Sequence, residues 1–248
     1  MTDNQATSAF RLAYVPGVTP GKWIRIWEQR LPGVPLTLLQ LDPAAAEAAL
    51  TAGTADAALL RLPVDRTLLS AIPLYTETTV VVLPKDHELT GDEELLVEQL
   101  AEQVIWHPED DTLVWETRPG TPGYERPAST ADAIELVAAG VGLLVVPQSL
   151  ARLHHRRDLT FRPLADAAAQ SQVALAWPEQ QTTELVEEFI GIVRGRTVNS
   201  SRGQTATAEA NKRPQSKPQP KKKPAAAAPA RRGGAAAGAK RGKPKRRG

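Results

Sequence analysis

The stretch from Ser129 to Pro147, STADAIELVAAGVGLLVVP, leaves the chain little choice of local structure. Ser129 or Thr130 can cap a helix, each hydroxyl able to accept from a backbone N–H that a helix start leaves unpaired. Ile134, Val137, Ala138 and Val141 recur at helical spacing and predict one apolar face. Gly140 suits the helix C-terminus, where a left-handed residue ends the last turn. Leu143 to Val146 is a short apolar run with strand character, closed by Pro147. The unit is either an ordinary piece of α/β core or, if its N-terminus faces a cleft, a set of N–H groups offered to an anion.

The remainder of the body alternates in the same way. Leu12 to Val15 predicts a buried strand, and Thr19 and Pro20 open a helix as cap and first-turn proline. Trp23, Ile24, Trp27 and Leu31 form its apolar stripe. Val34 to Leu41 predicts a strand, Asp42 and Pro43 start an Ala-rich helix ending near Gly53, and Ala57 to Leu62 is a third strand. Leu74 to Leu83 reads as one longer β run, Glu93 to Ala101 as a helix and Val104 to Trp106 as a strand. His107 to Arg126, with three prolines and two glycines, reads as a long irregular loop, functional or mobile. A helix from Gln148 to about His155, strands at Leu159–Leu164 and Val173–Trp177, and a helix from Thr182 to Val193 complete the body. Strands alternating with helices predict a mostly parallel sheet with crossover connections.

The net charge of +2 conceals a division. From Gln204 to Gly248 there are eight Lys, six Arg and one Glu, a net +13, which leaves −11 for Met1 to Gly203. The cations are Lys212, Arg213, Lys217, Lys221, Lys222, Lys223, Arg231, Arg232, Lys240, Arg241, Lys243, Lys245, Arg246 and Arg247. Between them lie mostly Ala, Pro and Gly, which cannot bury enough apolar area to offset the entropy of ordering. Residues 197–248 are therefore expected to be a disordered Lys/Arg/Ala/Pro-rich tail. Such asymmetry points to a polyanionic partner.

Other chemistries find no support. With no cysteine there is no disulfide, thiolate metal site or Cys nucleophile, which fits a reducing cytoplasm. The N-terminus lacks a signal peptide's basic region and apolar core, and no apolar run approaches the roughly 20 residues of a membrane span. His154 and His155 are adjacent, so they diverge on a helix, and Arg156 and Arg157 beside them repel a cation; with His87 and His107 apart, no metal site is expected. Asp110–Asp111 and Glu93–Glu94 are adjacent pairs of a solvated surface rather than carboxylates facing across a substrate. No nucleophile elbow, P-loop or dinucleotide fingerprint is present, so neither an enzyme nor a cofactor is expected.

Four segments in order carry a family resemblance: FRLAYVPG at Phe10–Gly17, GTADAALLRLP ending at Pro63, VVVLPKDHEL at Val80–Leu89, and the Ser129–Pro147 unit. Together they resemble the effector-binding domain of LysR-type transcriptional regulators, from about Phe10 to Arg196. The resemblance implies an α/β, two-lobed, periplasmic-binding-protein-like fold of type two. Lobe one would hold about 10–79 and 168–196, lobe two about 80–167, with crossings near Thr79 and Ala168.

In two-lobed α/β proteins, ligands sit at strand C-termini between the lobes. The expected ligand-binding residues are Gly17, Val18, Thr19, Arg61 and Leu62 from lobe one, and His107, Ser129, Thr130 and Pro147 from lobe two. The resemblance implies effector contacts at Thr19 and Ser129–Thr130, and two helix N-termini facing one cleft favour a small carboxylate. Thr19 is either a plain helix cap or a ligand contact, Arg61 either a carboxylate clamp or an exposed strand-end charge, and His107 either lines the cleft or is structural.

The chain departs from the family in having only nine residues before its first strand, where a winged helix-turn-helix and linker helix are expected. A small-molecule sensor without its own DNA-reading domain is the expectation, as a homodimer or paired with a full-length relative. Its tail, similar in composition to histone-like basic tails, would bind nucleic acid non-specifically through counterion release. The alternative is a nucleoid-type interaction protein whose cleft no longer takes a ligand.

Overall fold

The computed structural model describes residues 9–165 and 169–196. The crossing near Ala168 and the tail expected to be disordered lie outside the described residues.

Among the described residues, ten strands and five α-helices follow the alternation. They are β1 Phe10–Tyr14, α1 Gly21–Arg30, β2 Leu36–Gln40, α2 Pro43–Thr51, β3 Ala57–Arg61, β4 Leu69–Thr76 and β5 Thr79–Pro84. Then come β6 Val104–Trp106, β7 Thr121–Pro122, α3 Thr130–Ala138, β8 Leu143–Pro147, α4 Gln148–Leu153, β9 Leu159–Pro163, β10 Gln172–Pro178 and α5 Glu184–Val193.

The strands form two five-stranded sheets of the same design, ordered β2-β1-β3-β10-β4 and β7-β6-β8-β5-β9. In the first, β1 pairs parallel with β2 and β3, while β10 runs antiparallel between β3 and β4. In the second, β6 pairs parallel with β7 and β8, while β5 runs antiparallel between β8 and β9. The expectation of a mostly parallel sheet is thus corrected: each sheet holds one reversed strand. That strand enters by crossing from the other sheet rather than by a helical crossover, so it arrives pointing the other way.

The same crossing corrects the long β run. Leu74 to Leu83 is not one strand, because Thr76–Glu77–Thr78 passes from β4 in the first sheet to β5 in the second. The run looked continuous because β5 is covered on both faces. Val80 and Val82 pack with Leu144, Val146 and the Ala133, Ile134 and Val137 side of α3. Val81 and Leu83 pack on the opposite face with Leu95, Leu100, Ile105 and Val145.

That second face also explains why Glu93–Ala101 is not a helix. Leu95 is fully buried and held extended, its N–H bonded to the Pro163 carbonyl and its carbonyl to the Ala165 N–H. Only short 3-10 turns remain, at Glu88–Gly91 and Val97–Leu100.

The opening helix–strand unit forms as expected. Ser129 Oγ accepts from the Asp132 N–H at 3.2 Å, and β8 is buried throughout. Gly140 has φ +75°, its N–H bonds the Val137 carbonyl, and the Val141 N–H reaches back to Leu136. Val141 was expected on the apolar face. It is exposed, because the left-handed residue before it turns the chain off the helix.

The first sheet's core is centred on three aromatic rings. Phe10 of β1 stacks on Trp27 of α1 at 4.6 Å between centroids, and Phe189 of α5 lies 5.3 and 5.9 Å from them. The Trp27 indole N–H donates to the Val34 carbonyl at 2.9 Å, so its polar atom is satisfied. Among the described residues no helix is long and apolar enough to cross a membrane.

Trp27→Ala is expected to destabilise the protein by about 3–5 kcal/mol, from lost burial and the cavity left behind. Urea unfolding monitored by circular dichroism checks this; a loss under about 1 kcal/mol would mean that the trio does not anchor α1.

Candidate functional site

The N- and C-terminal ends of several elements converge where the chain passes between the two sheets. Arg61 ends β3, Glu77 lies in the first crossing, Ser171 immediately precedes β10, and Ser149 sits in the first turn of α4. Arg61 Nε donates to Glu77 Oε2 at 2.8 Å and Nη2 to Oε1 at 3.3 Å. The remaining guanidinium donors reach the Pro16 carbonyl at 2.9 Å and Ser149 Oγ at 3.0 Å. Ser149 Oγ–H in turn donates to Glu77 Oε1, and Ser171 Oγ–H to Oε2 at 2.6 Å.

The pair is deeply buried, at 5% and 4% side-chain exposure. Arg61 is therefore not the exposed strand-end charge that was one expectation. As a clamp for a ligand's carboxylate it is already engaged, by a carboxylate of its own chain.

Gly17 belongs to this group. Its φ is +83°, and a Cβ there would stand 2.8 Å from Ser149 Oγ, 3.0 Å from Arg61 Nη2 and 3.2 Å from Leu150 Cδ2. Contacts that short require something to move, so glycine permits the loop after β1 to lie against α4. Pro147, buried at the end of β8 opposite Thr79, leads directly into the same helix.

Two expected site residues from lobe one lie elsewhere. Val18 is 3% exposed and packs into the first sheet's core, so its side chain is not a cleft wall. Leu62 is partly buried against the same core. Thr19 is exposed and does not cap α1; Pro20 holds the cap position, and no side chain caps that helix start. The proline placed at the first turn falls one residue early because α1 begins at Gly21.

The lobe-two residues form a second group. Thr130, 2% exposed, donates through Oγ1 to Asp110 at 2.9 Å, and Ser129 Oγ–H donates to Asp132 at 2.7 Å. His107 is 5% exposed, with Nδ1 3.7 Å from the Asp111 carboxylate. Arg126 fixes the start of this loop by donating to the His107 and Pro108 carbonyls at 3.0 and 2.7 Å. Three buried polar atoms, His107 Nε2, Thr112 Oγ1 and Trp115 Nε1, have no partner among the described residues. Buried polar atoms left this way are uncommon, and these three fall within nine residues of one loop.

Among the described residues, no cluster of three His, Asp or Glu could hold a metal ion. A shallow depression at the far end of α4 is lined by Val82, Ile134, His154, His155 and Arg156. It is separate from both groups, and its Arg156 is engaged by Glu135 and Asp158.

Glu77, Ser149 and Ser171 were not anticipated from the sequence. Each stands among other polar residues at the edge of an apolar run, in Thr76–Glu77–Thr78, Gln148–Ser149 and Gln170–Ser171–Gln172, and only the meeting of distant segments sets it apart.

Several known proteins match this chain. The model of the LysR substrate binding domain matches residues 4–197. The HTH-type transcriptional regulator BudR of Raoultella terrigena is 28% identical over 175 residues, covering 66% of this chain and 60% of its own length. A probable hydrogen peroxide-inducible genes activator of Mycobacterium leprae is 30% identical over 160 residues, covering 60% of this chain and 51% of its own. The chain thus spans about half to three fifths of these relatives. The BenM effector-binding domain, solved with its effector benzoate, superposes with a TM-score of 0.60 at 20% identity over 77% of this chain and 95% of its own. Reduced OxyR gives 0.63 at 20% identity over 78% and 97%. At that identity these structures establish the fold.

Burial pushes the Glu77 carboxyl up, but the hydrogen bonds and charge of Arg61, with the Ser149 and Ser171 hydroxyls, outweigh it and hold it below the usual carboxylate range. A lowered folded-state pKa means stability that is complete above the unfolded chain's value and lost as pH falls through the folded one. Glu77→Gln leaves Arg61 unneutralised, so at neutral pH the variant is expected to melt about 6–20 °C lower. The gap should narrow as the pH is taken below the carboxylate range. Thermal unfolding across that range measures it, and a gap that stays constant would rule out the ionised pair as its source.

Proposed function

This chain belongs to the LysR substrate-binding-domain family, and we propose that it is a small-molecule sensor whose effector enters between the two lobes. The observation that carries this reading is the family match over residues 4–197. The effector site is formed by Gly17 and Thr19 on one side and by His107, Ser129, Thr130 and Pro147 on the other.

A small carboxylate fits this site best. The uncapped first turn of α1 behind exposed Thr19 offers N–H donors, and His107 Nε2 offers an unused polar atom. Arg61 takes no part, because Glu77 neutralises it. The effector's charge is met by backbone and hydroxyl donors, and the BenM domain's effector, benzoate, is a carboxylate of this size class.

The sensor acts in the cytoplasm as a homodimer or paired with a full-length relative. Its tail, Lys212 to Arg247, holds it to nucleic acid without sequence preference, supplying charge but no aromatic side chain for stacking. A second reading is supported by the engaged Arg61 and the close packing at Gly17: an interaction protein whose cleft no longer takes a ligand.

Thermal shift against small carboxylates, aromatic acids and amino acids separates the two. One ligand class should stabilise the protein, and Thr19→Ala, an exposed position, should reduce that shift without lowering the unliganded melting temperature. Silence across the whole set would favour the interaction protein.

For the tail, duplex DNA binding by the full chain should fall about a thousandfold between 50 and 200 mM salt if about six phosphates are neutralised. A chain truncated after Gly203 should lose this binding; equal binding by both would remove the tail from the account.

A further inference from the structure

The surroundings of Glu77 have the composition of a ligand site. Its two oxygens receive four donors: Arg61 Nε, Arg61 Nη2, Ser149 Oγ and Ser171 Oγ. A guanidinium fork flanked by hydroxyls is how proteins take a carboxylate from solution. Here the carboxylate arrives covalently, on the crossing between β4 and β5, with its own N–H bonded to the Ser171 carbonyl at 2.8 Å.

The parts of this site belong to different bodies of the fold. Arg61 and the Pro16 carbonyl come from the first sheet's strands and loops. Ser149 comes from α4, which packs against β5 and β8 of the second. Glu77 and Ser171 lie in the two connecting segments. Moving the sheets apart would withdraw Ser149 from both partners and wet a pair that is now dry. A buried ion pair gains little stability over apolar packing, but it discriminates sharply between arrangements that complete it and those that do not.

We propose that Arg61, Ser149 and Ser171 form a carboxylate-binding site that the chain fills with its own Glu77, and that this occupancy latches α4 of one lobe against the loop after β1 of the other. Glu77 is an intramolecular ligand, and Gly17 is the absent side chain that lets the latch close. An anion from solution reaches Arg61 only by displacing Glu77. The inference rests on the buried network alone and holds whether or not the cleft takes an effector.

Glu77→Ala in the full chain removes a group the size of acetate. The variant is expected to melt well below the parent and to recover part of the loss in millimolar sodium acetate, but not in sodium chloride of equal ionic strength. The parent should show no acetate-specific gain. An acetate effect absent from the variant, or equal in both proteins, overturns the proposal.

If Glu77→Ala does not fold, Glu77→Gln keeps the volume and is tested by distance. The chain has no cysteine, so labels at Ala48→Cys on α2 and Ala139→Cys after α3 report one lobe each. The interlobe distance distribution should broaden in Glu77→Gln, and distributions identical to the parent's refute the latch. A ligand screen without hits alongside acetate rescue would sink the effector reading only; the reverse would sink the latch only.

Discussion

A guanidinium and a carboxylate can leave water together only if nearly every donor and acceptor between them is used. That demand organises the centre of this protein. Arg61 and Glu77 satisfy one another and then require the Pro16 carbonyl, Ser149 and Ser171. Those groups come from the loop after β1, the start of α4 and the approach to β10. Meeting all of them at once ties the first crossing to the residue before β10 and holds the start of α4 close to the first sheet. Loss of one partner strands a charge in a dry place, at a cost of about 3–5 kcal/mol, whereas the intact set is close to neutral against apolar packing. The network therefore acts on the choice of arrangement more than on stability.

Around that centre the two lobes are built on one plan. Each sheet presents three strands paired parallel, then a reversed strand, then an edge strand. The reversed strands β5 and β10 are also the first elements after each crossing. β5 is packed on both faces, and Val173 to Trp177 of β10 are buried in succession, so neither reversed strand presents an exposed face. The candidate site lies where strand ends and helix starts gather, which is where a fold of this kind has unpaired backbone donors to offer.

Much of this was legible in the chain, and the division is physical. The Ser129–Pro147 unit could be read residue by residue because its determinants are local: a hydroxyl cap, helical spacing, a left-handed glycine and an all-apolar strand. The β run through Thr76–Glu77–Thr78 was misread because burial on both faces erases the alternation that would mark a strand's ends. Glu93–Ala101 has helix-forming residues, but Leu95 is needed in an extended bridge beside Leu164, and tertiary burial overrides propensity. Arg61 was singled out, yet its partners stand 16, 45 and 88 positions away in sequence, beyond any local pattern. The unpartnered atoms of His107, Thr112 and Trp115 likewise exist only once the loop has folded over the second sheet.

The placement of the reversed strands has a consequence for how the molecule is made. All five strands of the second sheet lie between Thr79 and Pro163, a continuous stretch. The first sheet needs β10 between β3 and β4, and β10 begins only at Gln172. During synthesis, the second lobe has its complete set of strands while the first still lacks its penultimate one, with β4 unpaired at its edge. The first three strands of lobe one must wait, partly covered, for the passage of some eighty residues through the other lobe, a long closure of the kind that slows folding. The last strand to be translated is thus the one that joins the first lobe into a single sheet.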